Sequence, residues 1–197
     1  MTNRYVGFEG PIGAGKTTLS QLLAQHVGSD VILEDVDGNE FLADFYQDRQ
    51  RWAVPMQLWF LTARHKQLSE GLSASQGIIA DYTFAKDQIF ARMLLADRDL
   101  RLYERIAAGL RALRRPDLLV YLDAADEVLL ERIARRGRAY ERPITSEYLD
   151  SVRDAYEEYL STGAEPNVLR VNTTNLDLES EDQMHALYDS ILSVCRG

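Results

Sequence analysis

The segment Phe8–Val27, FEGPIGAGKTTLSQLLAQHV, constrains the chain more than any other. Gly10-Pro11-Ile12-Gly13-Ala14-Gly15-Lys16-Thr17 fits the pattern G-x-x-x-x-G-K-[ST] without a mismatch. Tyr5–Glu9 read as a strand running into it, and Leu19, Leu22, Leu23 and Val27 recur at helical spacing after it. A glycine-rich loop in that setting cradles phosphate. Its backbone N–H groups turn inward without a Cβ clash, and the following helix adds its unpaired N–H groups and its dipole. Residues 10–18, Thr18 included, are therefore expected to hold a nucleotide, with Lys16 at the β/γ-phosphates and the Thr17 hydroxyl on Mg²⁺. A tight strand-to-helix turn with a chance lysine would not explain why both flanks are correct.

Such a loop belongs in an α/β fold, and the rest of the pattern agrees. Short apolar runs lie at Tyr5–Phe8, Val31–Leu33, Gly77–Ala80, Leu118–Leu122 and Val168–Val171. Helical patterns lie between and after them, at 16–27, about 53–71, 84–96, 99–114, 126–136, 145–161 and 181–195. Strands separated by helices imply crossovers and a parallel sheet covered on both faces. No repeat, low-complexity segment or linker divides the 197 residues, so one domain is expected. The 31 acidic against 22 basic residues give a net charge of −9, which argues against a nucleic-acid or membrane binder. The one cysteine, Cys195, excludes an intrachain disulfide and reads as an inert residue of a terminal helix. No signal peptide or bilayer-length apolar run is present, so a cytoplasmic protein is expected.

Ligands of such sheets sit beyond the carboxyl ends of the strands. Glu34 is the first carboxylate after the second strand, Asp81 stands at the equivalent point after the third, and Asp123 follows the fourth. A phosphate loop with two converging carboxylates supplies parts for phosphoryl transfer: one accepts the proton of an attacking hydroxyl, the other holds Mg²⁺. Asp123 is better read as a cap or surface residue. Arg132, Arg135, Arg136, Arg138 and Arg142 cluster around Gly137. Two or three of them are expected on phosphate oxygens in a lid at about 136–143, and the rest solvated as cations suited to a helix C-terminus.

A hydrolytic switch is disfavoured, because no D-x-x-G follows the third strand and no N-K-x-D occurs. An acceptor pocket fits better. In FYQDRQRWAVPMQLWFLTARHKQL, Gln57 and Arg64 interrupt an apolar helix. A glutamine amide pairs with two adjacent groups on a nucleobase edge, while aromatics stack on its face. The plainer alternative makes Trp59, Phe60 and Leu61 core and puts Gln57 on an exposed stripe.

Taken together, EGPIGAGKT, Glu34, FLADFYQD, WAVPMQLWFLTAR, DYTFAKDQIFA and RGRAYERPITSEYL resemble the deoxyribonucleoside kinases over most of the chain to about Leu160, and most of all the bacterial enzymes acting on deoxyguanosine and deoxyadenosine. The resemblance implies a P-loop kinase fold with a five-stranded parallel sheet, transfer of the ATP γ-phosphate to a 5′-hydroxyl, and a homodimer. It implies Glu34 as general base, with Tyr46 and Glu141 on the sugar 3′-hydroxyl. Gln57 reads the base with Arg64 in the same pocket, and Phe90 packs against that base. Asp81 is the acid of the family's D/E-R-S motif, as metal ligand or proton acceptor. Arg132, Arg136 and Arg138 contact phosphate, Arg132 as a catalytic group. Two departures stand out. Tyr82 replaces the motif's arginine, so any charge that arginine supplies near the 5′-oxygen comes from elsewhere or is absent. AKDQIFA is one residue shorter than in many relatives, so either Lys86 or Asp87 faces the base. A nucleoside monophosphate kinase such as thymidylate kinase, or a non-catalytic ATP-binding regulatory module, are the alternatives; the first needs an arginine where Tyr82 stands.

Overall fold

A computed structural model describes residues 4–75, 77–110 and 112–196. β1 (Tyr5–Glu9) runs through the phosphate loop into α1 (Lys16–Val27). β2 (Asp30–Ile32) is followed by α2 (Leu42–Gln47) and α3 (Arg49–Ala74), and β3 (Ile78–Ala80) by α4 (Ala85–Leu94) and α5 (Asp97–Ala107). β4 (Leu118–Asp123) leads into α6 (Asp126–Arg136), a 3₁₀ turn at Ala139–Glu141 and α7 (Ser146–Ser161); β5 (Val168–Asn172) and α8 (Glu181–Arg196) follow. Among the described residues no helix is long and apolar enough to cross a membrane.

The strands form one sheet in the order β2-β3-β1-β4-β5, and every pair is parallel. Helices flank it, so the expected α/β architecture with five parallel strands is the one observed. β1 is central and buried along its whole length, which is why YVGFE carries no polar–apolar alternation. Val6 lies opposite Ile79 on β3 and Leu118 on β4. Sheet order steps outward from β1 in both directions, and a crevice opens at the carboxyl ends at such a point. The phosphate loop leaves β1 there, and Asp81 leaves β3 beside it.

Several boundaries differ from the sequence expectation. The helix expected at about 53–71 starts at Arg49, capped by the Asp48 carboxylate, which accepts from the Arg51 amide at 3.2 Å. It runs on through Pro55, although a proline there leaves the carbonyl four residues earlier without its helical partner. Burial of Ala53, Met56, Phe60, Leu61 and Leu68 along one stripe outweighs that cost. α2 is too short for periodicity to mark it. α4 and α5 are shorter than the patterns at 84–96 and 99–114; α5 stops before Gly109, whose amide bonds back to Ile106 at 3.0 Å and tightens the last turn. β2 ends at Ile32, one residue before the expected end, because its pairing with β3 stops where Asp81 begins.

Two glycines bring the loop close to its neighbours. Gly10 has φ +138°, and a Cβ there would lie 2.0 Å from the Leu122 carbonyl oxygen on β4. Gly13 has φ +87°, and its Cβ would lie 2.8 Å from the Leu129 carbonyl oxygen on α6. The Gly10→Ala variant is therefore expected to lose about 3–5 kcal/mol or to fail to fold, from backbone strain and overpacking together. Urea unfolding checks this; a midpoint equal to the wild type would mean that β4 moves aside without cost.

Candidate active site

A cavity of about 1010 Å³ opens at the carboxyl ends of β1 and β3. Its size suits a nucleotide and a second small molecule together. Residues Ile12 to Thr18 line it on one side, and Glu34, Tyr46, Gln57, Arg64, Lys86 and Phe90 on the other. Arg132, Arg136, Arg138 and Glu141 line the part nearest the lid. Gly10, Pro11 and Asp87 stand behind this lining.

The phosphate loop holds its own lysine. Lys16 Nζ donates to the carbonyls of Gly10 at 2.8 Å and Pro11 at 2.9 Å. Burial pushes its pKa down to about 8, with the Lys86 charge acting in the same sense and Glu9, Glu34 and Asp81 opposing. Thr17 Oγ1 donates to Asp81 Oδ2 at 2.6 Å, while Asp81 Oδ1 accepts the Glu34 amide at 2.7 Å. One carboxylate thus joins the start of α1 to the chain leaving β2. Burial raises the Asp81 pKa, against the hydrogen bond from Thr17.

Glu34 is gripped from two helices. Arg64 of α3 donates to Oε1 through Nε at 2.7 Å and also through Nη2, and Lys86 of α4 donates to Oε2 at 2.7 Å. Burial alone would raise the Glu34 pKa, but the Arg64 and Lys86 charges outweigh it and bring it down to about 2. The remaining arm of Arg64, Nη1, donates to Asp87 Oδ1 at 2.7 Å. Burial pushes Asp87 up to about 6 despite Arg64, and its Oδ2 has no hydrogen-bond partner. Of the two residues left open at the shortened α4, Lys86 therefore binds Glu34 and Asp87 binds Arg64.

Gln57 is 1% exposed, and its buried Oε1 lacks a partner. The exposed-stripe alternative is thereby excluded. A buried amide oxygen without a hydrogen bond is costly, and in a cavity wall it is a socket for a donor. Phe90 and Tyr46 face the same cavity, and the Tyr46 ring stacks 5.9 Å from Tyr140.

The lid arginines divide as follows. Arg136 Nη2 donates to Glu141 Oε1 at 2.7 Å, and Arg138 Nη1 lies 3.7 Å from the same oxygen. Arg138 Nη2 and the Tyr140 hydroxyl also reach Asp37 on the β2–α2 loop, at 3.0 and 3.3 Å. Arg132 lies between the phosphate loop and the end of β5: it donates to the Thr173 carbonyl at 2.8 Å, to Thr173 Oγ1 at 3.0 Å and to the Gly13 carbonyl at 3.5 Å. Arg135 lines the cavity, whereas Arg142 is exposed and does not. Asp123 does not cap α6, whose N-cap is Ala125; its half-buried carboxylate accepts from Arg153 at 3.0 Å.

Sequence reasoning assigned no role to Glu9. It is fully buried beneath the loop, accepts from the Thr83 amide at 2.7 Å and hydroxyl at 2.8 Å, and takes the Tyr156 hydroxyl at 2.6 Å. The signal was present: a carboxylate ending an otherwise apolar central strand. Thr173 and Asp37 were also missed, since neither belongs to a spaced pattern.

The clamp on Glu34 has a measurable consequence. Its folded pKa lies below its ordinary value of 4.5, so the ion pairs stabilise the fold above pH 4.5 and cease to do so as pH falls towards 2. The linkage amounts to about 3 kcal/mol. Glu34→Gln is expected to be less stable than wild type at pH 7 by about that amount, with the gap narrowing below pH 4.5. Urea unfolding between pH 7 and pH 3 measures it, and a gap constant with pH would assign the loss to packing.

Comparison with known proteins agrees with this geometry. A family model described as deoxynucleoside kinase matches residues 6–196. Deoxyguanosine kinase of Bacillus subtilis (strain 168) is 38% identical over 134 residues, covering 66% of this chain and 65% of its own length, just under two thirds. Deoxyadenosine kinase of Dictyostelium discoideum is 35% identical over 196 residues, 95% of this chain and 80% of that one. Among solved structures, deoxyadenosine kinase from M. mycoides with bound dATP superimposes with a TM-score of 0.82 at 26% identity, covering 96% of this chain and 99% of the other. With the loop, the carboxylate pair and the buried, unpartnered amide in one cavity, the chain belongs to the deoxynucleoside kinase family and is an enzyme of that class, a phosphotransferase built on a phosphate-binding loop.

Proposed function

We propose that this protein transfers the γ-phosphate of ATP to the 5′-hydroxyl of a purine deoxynucleoside, deoxyguanosine or deoxyadenosine. The observation that carries this reading is the buried Glu34–Arg64–Lys86 cluster, which shares one cavity with Lys16 on one side and the unpaired Gln57 oxygen on the other. The names of the relatives, deoxyguanosine and deoxyadenosine kinases, support the choice of purine. A monophosphate kinase fits less well: it needs a cation after Asp81, and Tyr82 is fully buried there, its hydroxyl spent on Gln67 at 3.0 Å.

In this reading Glu34 receives the hydroxyl proton. A carboxylate held near pKa 2 is too weak a base to ionise an alcohol beforehand. It accepts the proton only as the O–P bond forms and the hydroxyl becomes acidic, which suits a loose transition state with late proton transfer. Tyr46 and Glu141 hold the 3′-hydroxyl, Gln57 and Arg64 read the base beside Phe90, and Asp87 fixes Arg64. Arg136 and Arg138 leave Glu141 for phosphate oxygens, and Arg132 acts from the side of β5. Thr17 and Asp81 offer two adjacent hard oxygen ligands, a donor set that fits Mg²⁺. Phosphate oxygens and water would supply the other ligands. Bound there, the ion neutralises charge on the triphosphate.

Incubation with ATP, Mg²⁺ and a panel of deoxynucleosides and monophosphates tests the reading. Phosphorylation of deoxyguanosine or deoxyadenosine is expected, with the 2′,3′-dideoxy analogues much poorer by kcat/KM, because a site built to bond a hydroxyl leaves buried polar groups unpaired without it. Consumption of ATP with monophosphates alone would replace this reading with the monophosphate kinase. The same reading includes a homodimer through the long helices. Leu102 and Ile106 on α5 are 46% and 39% exposed and suit such a contact; sedimentation as a single chain would remove it.

A further inference from the structure

We propose that Lys86 is a catalytic residue of the transfer itself, a cation on the acceptor side of the γ-phosphoryl group that stands in for the charge missing at Tyr82. The proposal rests on the kinase reading above and goes beyond it, since neither base reading nor the clamp on Glu34 requires this role.

The charge arrangement creates the need. A phosphoryl group in flight spreads negative charge over three equatorial oxygens. Lys16 meets it from the loop. On the opposite side stand Asp81, which accepts the Glu34 amide at 2.7 Å and whose charge a bound Mg²⁺ would offset, and Glu34, whose carboxylate repels it. Arg64 cannot help, because it is 3% exposed and all its described arms are committed to Glu34 and Asp87. The residue directly after Asp81, where the chain turns out of β3, is a tyrosine packed into the core with Tyr5, Leu68, Ile78 and Ala80.

Lys86 meets the need from the first turn of α4. Its side chain lines the cavity, and its ammonium has three donors, of which the described contacts spend one, on Glu34 Oε2 at 2.7 Å. That bond fixes the ammonium at the carboxylate which takes the hydroxyl proton. The Phe90 ring lies 5.8 Å away and limits how far it can swing. Lys86 and Lys16 line the same cavity, and Lys86 is near enough for its charge to act on Lys16.

The step balances as follows. The 5′-oxygen forms a bond to Pγ while the bond from Pγ to the β,γ-bridging oxygen breaks. ADP leaves with that electron pair, and the hydroxyl proton passes to Glu34. Lys86 keeps its proton and donates to a γ-oxygen throughout.

The rival role is a positioning one, in which Lys86 only steadies Glu34. Steady-state kinetics on Lys86→Met, Lys86→Arg, Glu34→Gln and the Glu34→Gln/Lys86→Met double variant separate the two. Unfolding midpoints and ATP affinity by calorimetry are measured on each, and Lys86→Gln replaces Lys86→Met if the latter does not fold. Loss of kcat by about 10²–10³ is expected for Lys86→Met, with the deoxynucleoside KM changed only a few-fold and turnover largely recovered in Lys86→Arg. The double variant should fall at least about tenfold below Glu34→Gln alone, because the two groups act on different atoms. A double variant no slower than Glu34→Gln, or a folded Lys86→Met within about threefold of wild type, overturns the proposal. Wild-type enzyme that phosphorylates no deoxynucleoside overturns the kinase reading itself, and the proposal with it.

Discussion

The buried carboxylate of Glu34 is the constraint around which the site is assembled. A charge so enclosed is tolerated only when its oxygens are matched, and the match comes from two helices, α3 and α4. Arg64 sits on the fifth turn of α3 and Lys86 on the first turn of α4, so one side chain fixes the rotation and depth of both. Gln57 lies two turns before Arg64 on the same buried stripe, and Phe90 one turn after Lys86. Once Glu34 is satisfied, the residues facing the cavity have little freedom left.

A second consequence concerns the division of labour among charges. The site holds three carboxylates within one connected network: Glu34, Asp81 and Asp87. Their environments separate them. Cations hold Glu34 well down, whereas burial leads for Asp81 and Asp87 and pushes both up. Carboxylates of one site set apart in this way are how a single fold obtains groups of different basicity from the same chemistry. The acidic excess of the chain as a whole says nothing of this, because the decisive cations are local.

Much of the architecture was legible in the sequence because it is local. The phosphate loop is a contiguous pattern, the strands are short apolar runs, and the carboxylates at strand ends follow from chain direction. What was illegible depends on contacts distant in sequence. Gln57 is flanked by Met56, Leu58, Trp59, Phe60 and Leu61, so the helix has no polar side around it and periodicity cannot place the amide. Pro55 signals a helix boundary that packing overrides. Lys86 and Asp87 are neighbours in sequence, and only the position of α4 against α3 decides which meets Glu34. The turning of Tyr82 into the core likewise depends on Gln67, 15 residues earlier on another helix.

The carboxylate sealed beneath the phosphate loop bears on how the molecule moves. Glu9 joins the end of the central strand to Thr83 at the head of α4 and, through Tyr156, to α7. The underside of the cavity is therefore tied by three hydrogen bonds to Glu9. Its upper edge is different in kind: the described polar contacts of Arg138 and Tyr140 to the β2–α2 loop run through Asp37, a solvent-facing residue whose ion pairs water can replace. Compliance is thus concentrated at the rim. In the proposed reaction, any entropy lost on closing the rim would fall on a short arginine-bearing stretch, while the reacting groups below are already set in place.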